Sequence, residues 1–167
     1  SVPPNSLKDF IAYAKANPGK LNYGSVGVGG TPHLATELFN QMTNTRMAHV
    51  PYKGADALRD LLAGRVQFMF ATIPSVKQHI DAGSLRAIAV SSVKRSRSMP
   101  EVPTVAESGY PGFEAGSWFG FFAPKGTPKN VVRTLSVALD KALDEAAVVK
   151  RLADLGGSIP KKSERSP

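Results

Sequence analysis

The stretch that most restricts how this chain can fold is Leu21–Phe39, LNYGSVGVGGTPHLATELF. It predicts a short strand over Leu21–Ser25, a turn over Val26–Gly30 and a helix from about Thr31. Gly27, Gly29 and Gly30 provide the turn, because glycine tolerates φ > 0 and close backbone approach. Thr31 is expected at the N-cap and Pro32 at the first helical position, where a missing N–H costs nothing. A strand that enters a helix through such a turn leaves several backbone N–H groups aimed into one small space. With the positive end of the helix dipole, they favour a small carboxylate or phosphate. A plain turn without a ligand is the alternative.

Two nucleotide motifs are excluded by residue identity. G-x-G-x-x-G fails because Pro32 stands where the third glycine belongs, and G-x-x-x-x-G-K-[ST] fails because Gly30 replaces the lysine.

The chain has 167 residues, ordinary hydrophobic content and a net charge of +8. That length suits one domain or parts of two, with a genuine core. The positive charge favours anionic partners. Its densest basic run, Lys94–Arg95–Ser96–Arg97–Ser98, carries no interleaved aromatic residue, so a solvated loop is expected and nucleic acid is not. No apolar run approaches the length of a membrane span. Cysteine is absent, which excludes disulfides and thiolate metal sites.

Along the chain, Ser6 is placed to cap a helix bearing Leu7, Phe10, Ile11 and Ala14 on one face, ended by Asn17-Pro18-Gly19. On the helix from Thr31, Leu34, Leu38 and Met42 form the expected apolar stripe. Further strands are expected at Met47–Tyr52, Val66–Ala71, Leu85–Val90 and Ser117–Ala123, the last a buried aromatic strand. Helices are expected at Asp56–Ala63, Ser75–Ala82, Lys129–Glu145 and Ala146–Leu155, with a short helical piece at Val105–Ser108. Val132, Leu135, Leu139 and Leu143 should face inward, and Ser166-Pro167 reads as the start of another helix. Strands alternating with helices predict an α/β fold with a parallel-rich sheet. Ligands of such sheets bind beyond the carboxyl ends of the strands, which here are Ser25–Thr31, Tyr52–Ala55 and Thr72–Ser75.

Candidate catalytic chemistry is sparse. His33, His49 and His79 lack paired metal-ligand spacing. His33, one turn inside the helix, could donate to a ligand or simply be a partly exposed helix residue. No G-x-S-x-G nucleophile motif occurs, and Asp56, Asp60, Asp140, Asp144 and Glu145 are expected on exposed faces, giving no paired acid and base.

Three stretches, YGSVGVGGTPHLATELF, HVPYKGADALRDLLAGRVQFMF and LRAIAVSSVKRSRSMPEVPTVAESGYPGFEAGSWFGFFAPKGTP, closely resemble the tripartite tricarboxylate transporter substrate-binding proteins, the Bug family of periplasmic solute receptors. The resemblance covers nearly the whole chain. It implies a type 2 periplasmic-binding-protein-like architecture of two lobes, without enzymatic activity, cofactor or metal. The implied ligand is a small organic carboxylate (a dicarboxylate, tricarboxylate or aromatic acid), delivered in the periplasm to membrane transporter subunits. Members are nearly twice this long, so the chain reads as a fragment: residues 1–115 the second, ligand-binding lobe and 116–167 the returning part of the first. Matched onto the family motif, Ser25, Gly29, Gly30 and Thr31 hold a ligand carboxylate, with His33 beside them. Tyr52, Lys53, Gly54, Ala55, Thr72 and Ser75 line the same cleft. Apolar surface left uncovered by a missing half would favour a homodimer made by segment exchange.

Overall fold

A computed structural model describes residues 3–54, 56–154 and 157–165. The chain divides into two compact units, Ser1–Ser117 and Trp118–Pro167.

The first unit opens with α1 (Leu7–Ala16), capped by Ser6, whose Oγ accepts the Asp9 N–H at 3.1 Å and donates to the Asp9 carboxylate at 2.7 Å. Leu7, Phe10, Ile11 and Ala14 are its buried face, as the spacing predicts. β1 (Asn22–Ser25) pairs in parallel with β2 (Ala48–Pro51), Tyr23 opposite His49, and the crossover between them is α2 (Thr31–Thr43). On the other edge of β1, Gly24 N–H donates to Phe68 O at 3.0 Å and Gln67 N–H to Asn22 O at 2.9 Å. This makes β1 the centre of the parallel arrangement. α3 (Asp56–Leu62) lies against it through two small residues: a methyl group at Gly24 would sit 3.6 Å from the Ala57 side chain. α4 (Ile73–Asp81) follows the 66–71 stretch and stops before Gly83.

The core beneath the sheet is aromatic. Phe68 stacks on Phe10 with centroids 5.0 Å apart, and Phe113 meets Phe39 edge-on at 6.3 Å. Tyr23 and Phe39 are fully buried within it. Side chains of this size stabilise by about 1.5–3 kcal/mol each on burial. A second, smaller cluster joins Val90, Met99 and Val102.

Several sequence expectations are corrected. The first helical bond of α2, Leu34 N–H to Gly30 O at 3.0 Å, makes Gly30 the N-cap and puts Thr31 and Pro32 in the first turn. Gly30 has φ −70°, whereas Gly27 and Gly29 hold the left-handed values of 133° and 80°. The α2 face turned inward is Ala35, Thr36, Phe39 and Thr43; Leu38 and Met42 flank it and Leu34 is exposed. Phe39 is the bulkiest apolar side chain on that face, and it sets which face docks.

α4 begins two residues before the expected Ser75, because Pro74 suits the first turn. The Val66–Ala71 and Leu85–Val90 stretches each make one bridge, Tyr23–Phe68 and Val90–Thr104, and no longer ladder. Val105–Ser108 is a run of turns closed by reciprocal bonds between Thr104 and Glu107, both 2.9 Å. The basic loop is tied to this turn by Arg95, 2.8 Å from Glu107. The Thr104 N–H first, then Arg95, holds the Glu107 carboxyl below its ordinary range.

The second unit contains α5 (Lys129–Asp144), α6 (Ala146–Asp154) and a single 3₁₀ turn at Lys162–Glu164. Arg165 bridges Asp140 at 3.0 Å and Asp144 at 2.9 Å, and Lys162 reaches Asp144 at 2.7 Å. Neither helix buries a residue, so the inward face expected for Val132, Leu135, Leu139 and Leu143 is not buried. The expected buried strand Ser117–Ala123 is irregular, with Phe119 92 % and Phe121 87 % exposed. An extended aromatic segment is buried only when a neighbouring strand or helix covers it, and none among the described residues does. The expectations for Leu155, the Gly156 stop and Ser166-Pro167 lie outside the described residues.

Candidate functional site

The site grows from the carboxyl end of β1. Ser25 is fully buried, and its Oγ gives its proton to Gly27 O at 3.0 Å and takes the Gly27 N–H at 3.2 Å. The His49 Nε2 lies 2.6 Å from the same oxygen and donates to it in its Nε2–H tautomer. Ser25 therefore uses its hydrogen-bonding capacity in folding the turn back on itself.

Beneath the turn the register of β1 with β2 builds a column of rings. Tyr23 and His49 are cross-strand partners with centroids 4.8 Å apart, and His33 of α2 stacks on His49 at 4.2 Å. The Tyr23 hydroxyl donates to Glu37 at 2.5 Å. Burial, reinforced by Glu37, pushes the Tyr23 phenol far above its ordinary value. Burial also lowers His49, and the neighbouring His33 adds to this while Glu37 opposes it. The histidines that looked scattered in sequence are thus two stacked and one distant, His79 in α4.

The turn offers backbone donors of two kinds. Gly29 N–H is taken internally by His33 Nδ1 at 3.1 Å. The N–H groups of Val28, Gly30 and Thr31 find no protein acceptor among the described residues. They sit at the positive end of a 13-residue helix.

An open cleft of about 400 Å³ reaches this turn at Val26 and Thr31. Val26, Thr31 and Pro32 line it from the turn and α2, Gly54 and Leu58 from the β2–α3 side. Met69, Phe70, Ala71, Thr72 and Ser75 come from the approach to α4, and Ser117 completes it. The first turns of two helices, α2 and α4, thus border one space. Ser75 Oγ donates to Thr72 O at 2.7 Å and Thr72 Oγ1 to Ser75 Oγ at 3.2 Å, which presents both hydroxyls on the α4 turn.

Of the residues the sequence singles out, Thr31, Gly54, Thr72 and Ser75 line the cleft. Ser25, Gly29, Gly30 and His33 build the turn behind it. Tyr52 extends the ladder by donating its N–H to Ser25 O at 2.9 Å, and its hydroxyl is turned to Asp60, also 2.9 Å away. Burial first, then Asp60, raises the Tyr52 phenol, while Arg65 and Tyr52 together lower Asp60. Lys53 is exposed at the β2–α3 connection, and Ala55 lies outside the described residues. The lining residues Met69, Phe70 and Ala71 read in sequence as an ordinary buried strand, although the strand-end rule locates the position just after them. No group of three His, Cys, Asp or Glu placed to hold a metal ion occurs among the described residues.

Residues 1–164 match the family described as the tripartite tricarboxylate transporter family receptor. A Pseudomonas sp. (strain P51) protein from the tcbD–tcbE intergenic region is 46 % identical over 90 % of this chain and 45 % of its own length. BugT of Bordetella pertussis is 41 % identical over 92 % of the chain and 48 % of its own length. The chain spans about half the length of these curated relatives. Among solved structures, an R. palustris protein with adipate superposes with TM-score 0.89 at 39 % identity, covering 99 % of this chain and 57 % of that one. MatC from Rhodopseudomonas palustris with bound malate gives TM-score 0.91 at 34 % identity, covering 98 % and 56 %. The fold is that of the periplasmic binding proteins, and the chain belongs to the tripartite tricarboxylate transporter receptor family.

Proposed function

We propose that this chain supplies the ligand-holding lobe of a periplasmic receptor that captures a small organic carboxylate and presents it to membrane transporter subunits. The observation that carries the reading is the convergence of the α2 and α4 first turns on one cleft beside the unpartnered N–H groups of Val28, Gly30 and Thr31. The adipate and malate in the two Rhodopseudomonas relatives support the ligand class. Residues 1–115 act as this lobe and 116–167 as the returning part of the other. One ligand carboxylate is held by the turn amides and by the hydroxyls of Thr31, Thr72 and Ser75. Ser25, Gly29 and His33 hold the turn in shape, Tyr52 braces it through Ser25, and Lys53 and Gly54 form the adjoining rim. Charged hydrogen bonds of this kind contribute roughly 1.5–3 kcal/mol each, and closure of a second lobe strengthens them by removing water.

The reading requires no cofactor, metal or nucleic acid. Among the described residues, the 2.6 Å contact between Ser25 and His49 is the one arrangement that suggests hydrolysis. A nucleophile must reach its substrate, however, and Ser25 is fully buried and already bonded within the turn. Amide NMR of the chain titrated with adipate tests the binding reading. Saturable shifts should concentrate at residues 26–31 and 72–75; their absence there rejects the site.

A further inference from the structure

The cleft is unusual for a carboxylate site in what it lacks. None of its described lining residues is ionisable, and the wall away from the helix termini is Val26, Leu58, Met69, Phe70 and Ala71. Val26 is half exposed and Val28, at the tip of the same turn, is 77 % exposed, so apolar surface continues to the mouth. The polar side chains at the helix starts are Thr31, Thr72 and Ser75, and Ser117 is the other hydroxyl in the lining.

These two halves divide the work on a ligand. A carboxylate satisfies the amides and hydroxyls at the helix termini. Within this chain, whatever is attached to it then meets a wall with no charged residue among the described lining. A second carboxylate or a hydroxyl close to the first would lose water there without recovering a full set of hydrogen bonds. Methylene groups or a ring in the same place bury apolar surface on both sides.

We infer that this site selects a carboxylate carried on an unsubstituted hydrocarbon body, and discriminates against hydroxylated or densely carboxylated acids such as malate and citrate. The inference rests on the carboxylate-receptor reading and narrows its substrate class. Selectivity resides in Val26, Leu58 and the Met69–Ala71 wall, while the turn supplies attraction common to every carboxylate.

The test is amide NMR titration of the 167-residue chain with acetate, butanoate and hexanoate, and separately with malate and citrate. Affinity should rise about two- to fourfold per added methylene, with malate and citrate no tighter than acetate. Leu58→Gln should flatten the methylene series, its amide spectrum reporting that the fold persists. Val26→Thr, which keeps side-chain shape, should do the same in smaller degree. A flat series in the parent, or malate or citrate binding more tightly than hexanoate, overturns the hydrocarbon inference and leaves the carboxylate reading standing. Absence of shifts at residues 26–31 and 72–75 with every acid overturns both.

Discussion

His33 of α2 stacks on His49 of β2 with ring centroids 4.2 Å apart and planes inclined by 27°. The pair lies directly under the glycine turn: His33 accepts the Gly29 N–H, and His49 contacts Ser25. Tyr23 closes the column on the other side of His49, and Glu37 is the carboxylate bonded to Tyr23. Two imidazoles this close repel strongly when both carry charge.

That arrangement makes stability depend on pH in a defined sense. Burial first, then His33, lowers the folded-state value of His49, so the unfolded chain takes up a proton before the folded one does. Stability should be level above about pH 7 and fall as pH drops through about 6.5 toward the lowered folded value. His49→Gln cannot charge and retains an amide for Ser25, so its thermal unfolding profile should be flatter between about pH 7 and 5. Parallel profiles for parent and variant would place the dependence elsewhere.

Thr31 separates binding from folding. It occupies the first turn of α2, not the cap, and an acidic residue in a first turn is favoured by the helix dipole. Thr31→Asp should therefore hold or slightly raise the melting temperature. The same carboxylate repels a bound one, and adipate affinity should fall at least about tenfold, roughly 1.4 kcal/mol. Thr31→Ser should be nearly silent. Calorimetry on both variants decides it, and unchanged adipate affinity in the Asp variant would remove the ligand from this turn.

Neighbouring glycines should respond differently to the same change. Gly29 has φ 80°, and a methyl group added there would meet no atom within 4 Å, so Gly29→Ala is opposed only by the left-handed backbone. About 1–2 kcal/mol of destabilisation is expected by denaturant titration. Gly30 has φ −70°, so Gly30→Ala should cost less than about 1 kcal/mol, through the weaker cap alone. Equal costs would contradict the assigned turn.

Asp60 governs Tyr52. Removing the carboxylate with Asp60→Asn takes away the second cause of the raised phenol, leaving burial as the first. Spectrophotometric titration should show one tyrosine ionising at lower pH than in the parent.

The exposed aromatic segment should drive association. Trp118, Phe119, Phe121 and Phe122 are each more than three-quarters exposed, and Leu135 and Val137 of α5 are also exposed. Contiguous apolar surface of this kind promotes self-association. Light scattering should find the chain larger than a monomer at high concentration, and Phe119→Ser with Phe121→Ser should reduce both size and binding of an apolar-surface dye. A dispersed monomer without dye binding rules out the exchange dimer.

Much of the fold was legible because its signals are short-range. Ser6 and Asp9 meet within one turn, Pro32 suits a first turn, and glycines follow the ends of α3 and α4. The location of the cleft was legible too, since loops after parallel strands must gather at one end of the sheet. Less legible was which side chains face it. Leu34 and Phe39 both satisfy a helical apolar pattern, and only the aromatic core beneath β1 selects Phe39.

Composition and local pattern by themselves determined the helices, the central strand and the glycine turn, and they raise the expectation of an anion site. These depend on backbone sterics and hydrogen bonds that close within about a turn. Tertiary structure alone decided that His33 and His49 stack, that His49 reaches Ser25, and that the described cleft wall carries no charged residue. Each depends on the register of β1 against β2 or on which helix lies over which strand. The aromatic run at 118–122 marks the boundary between the two: its sequence favours burial, and only a covering neighbour can provide it.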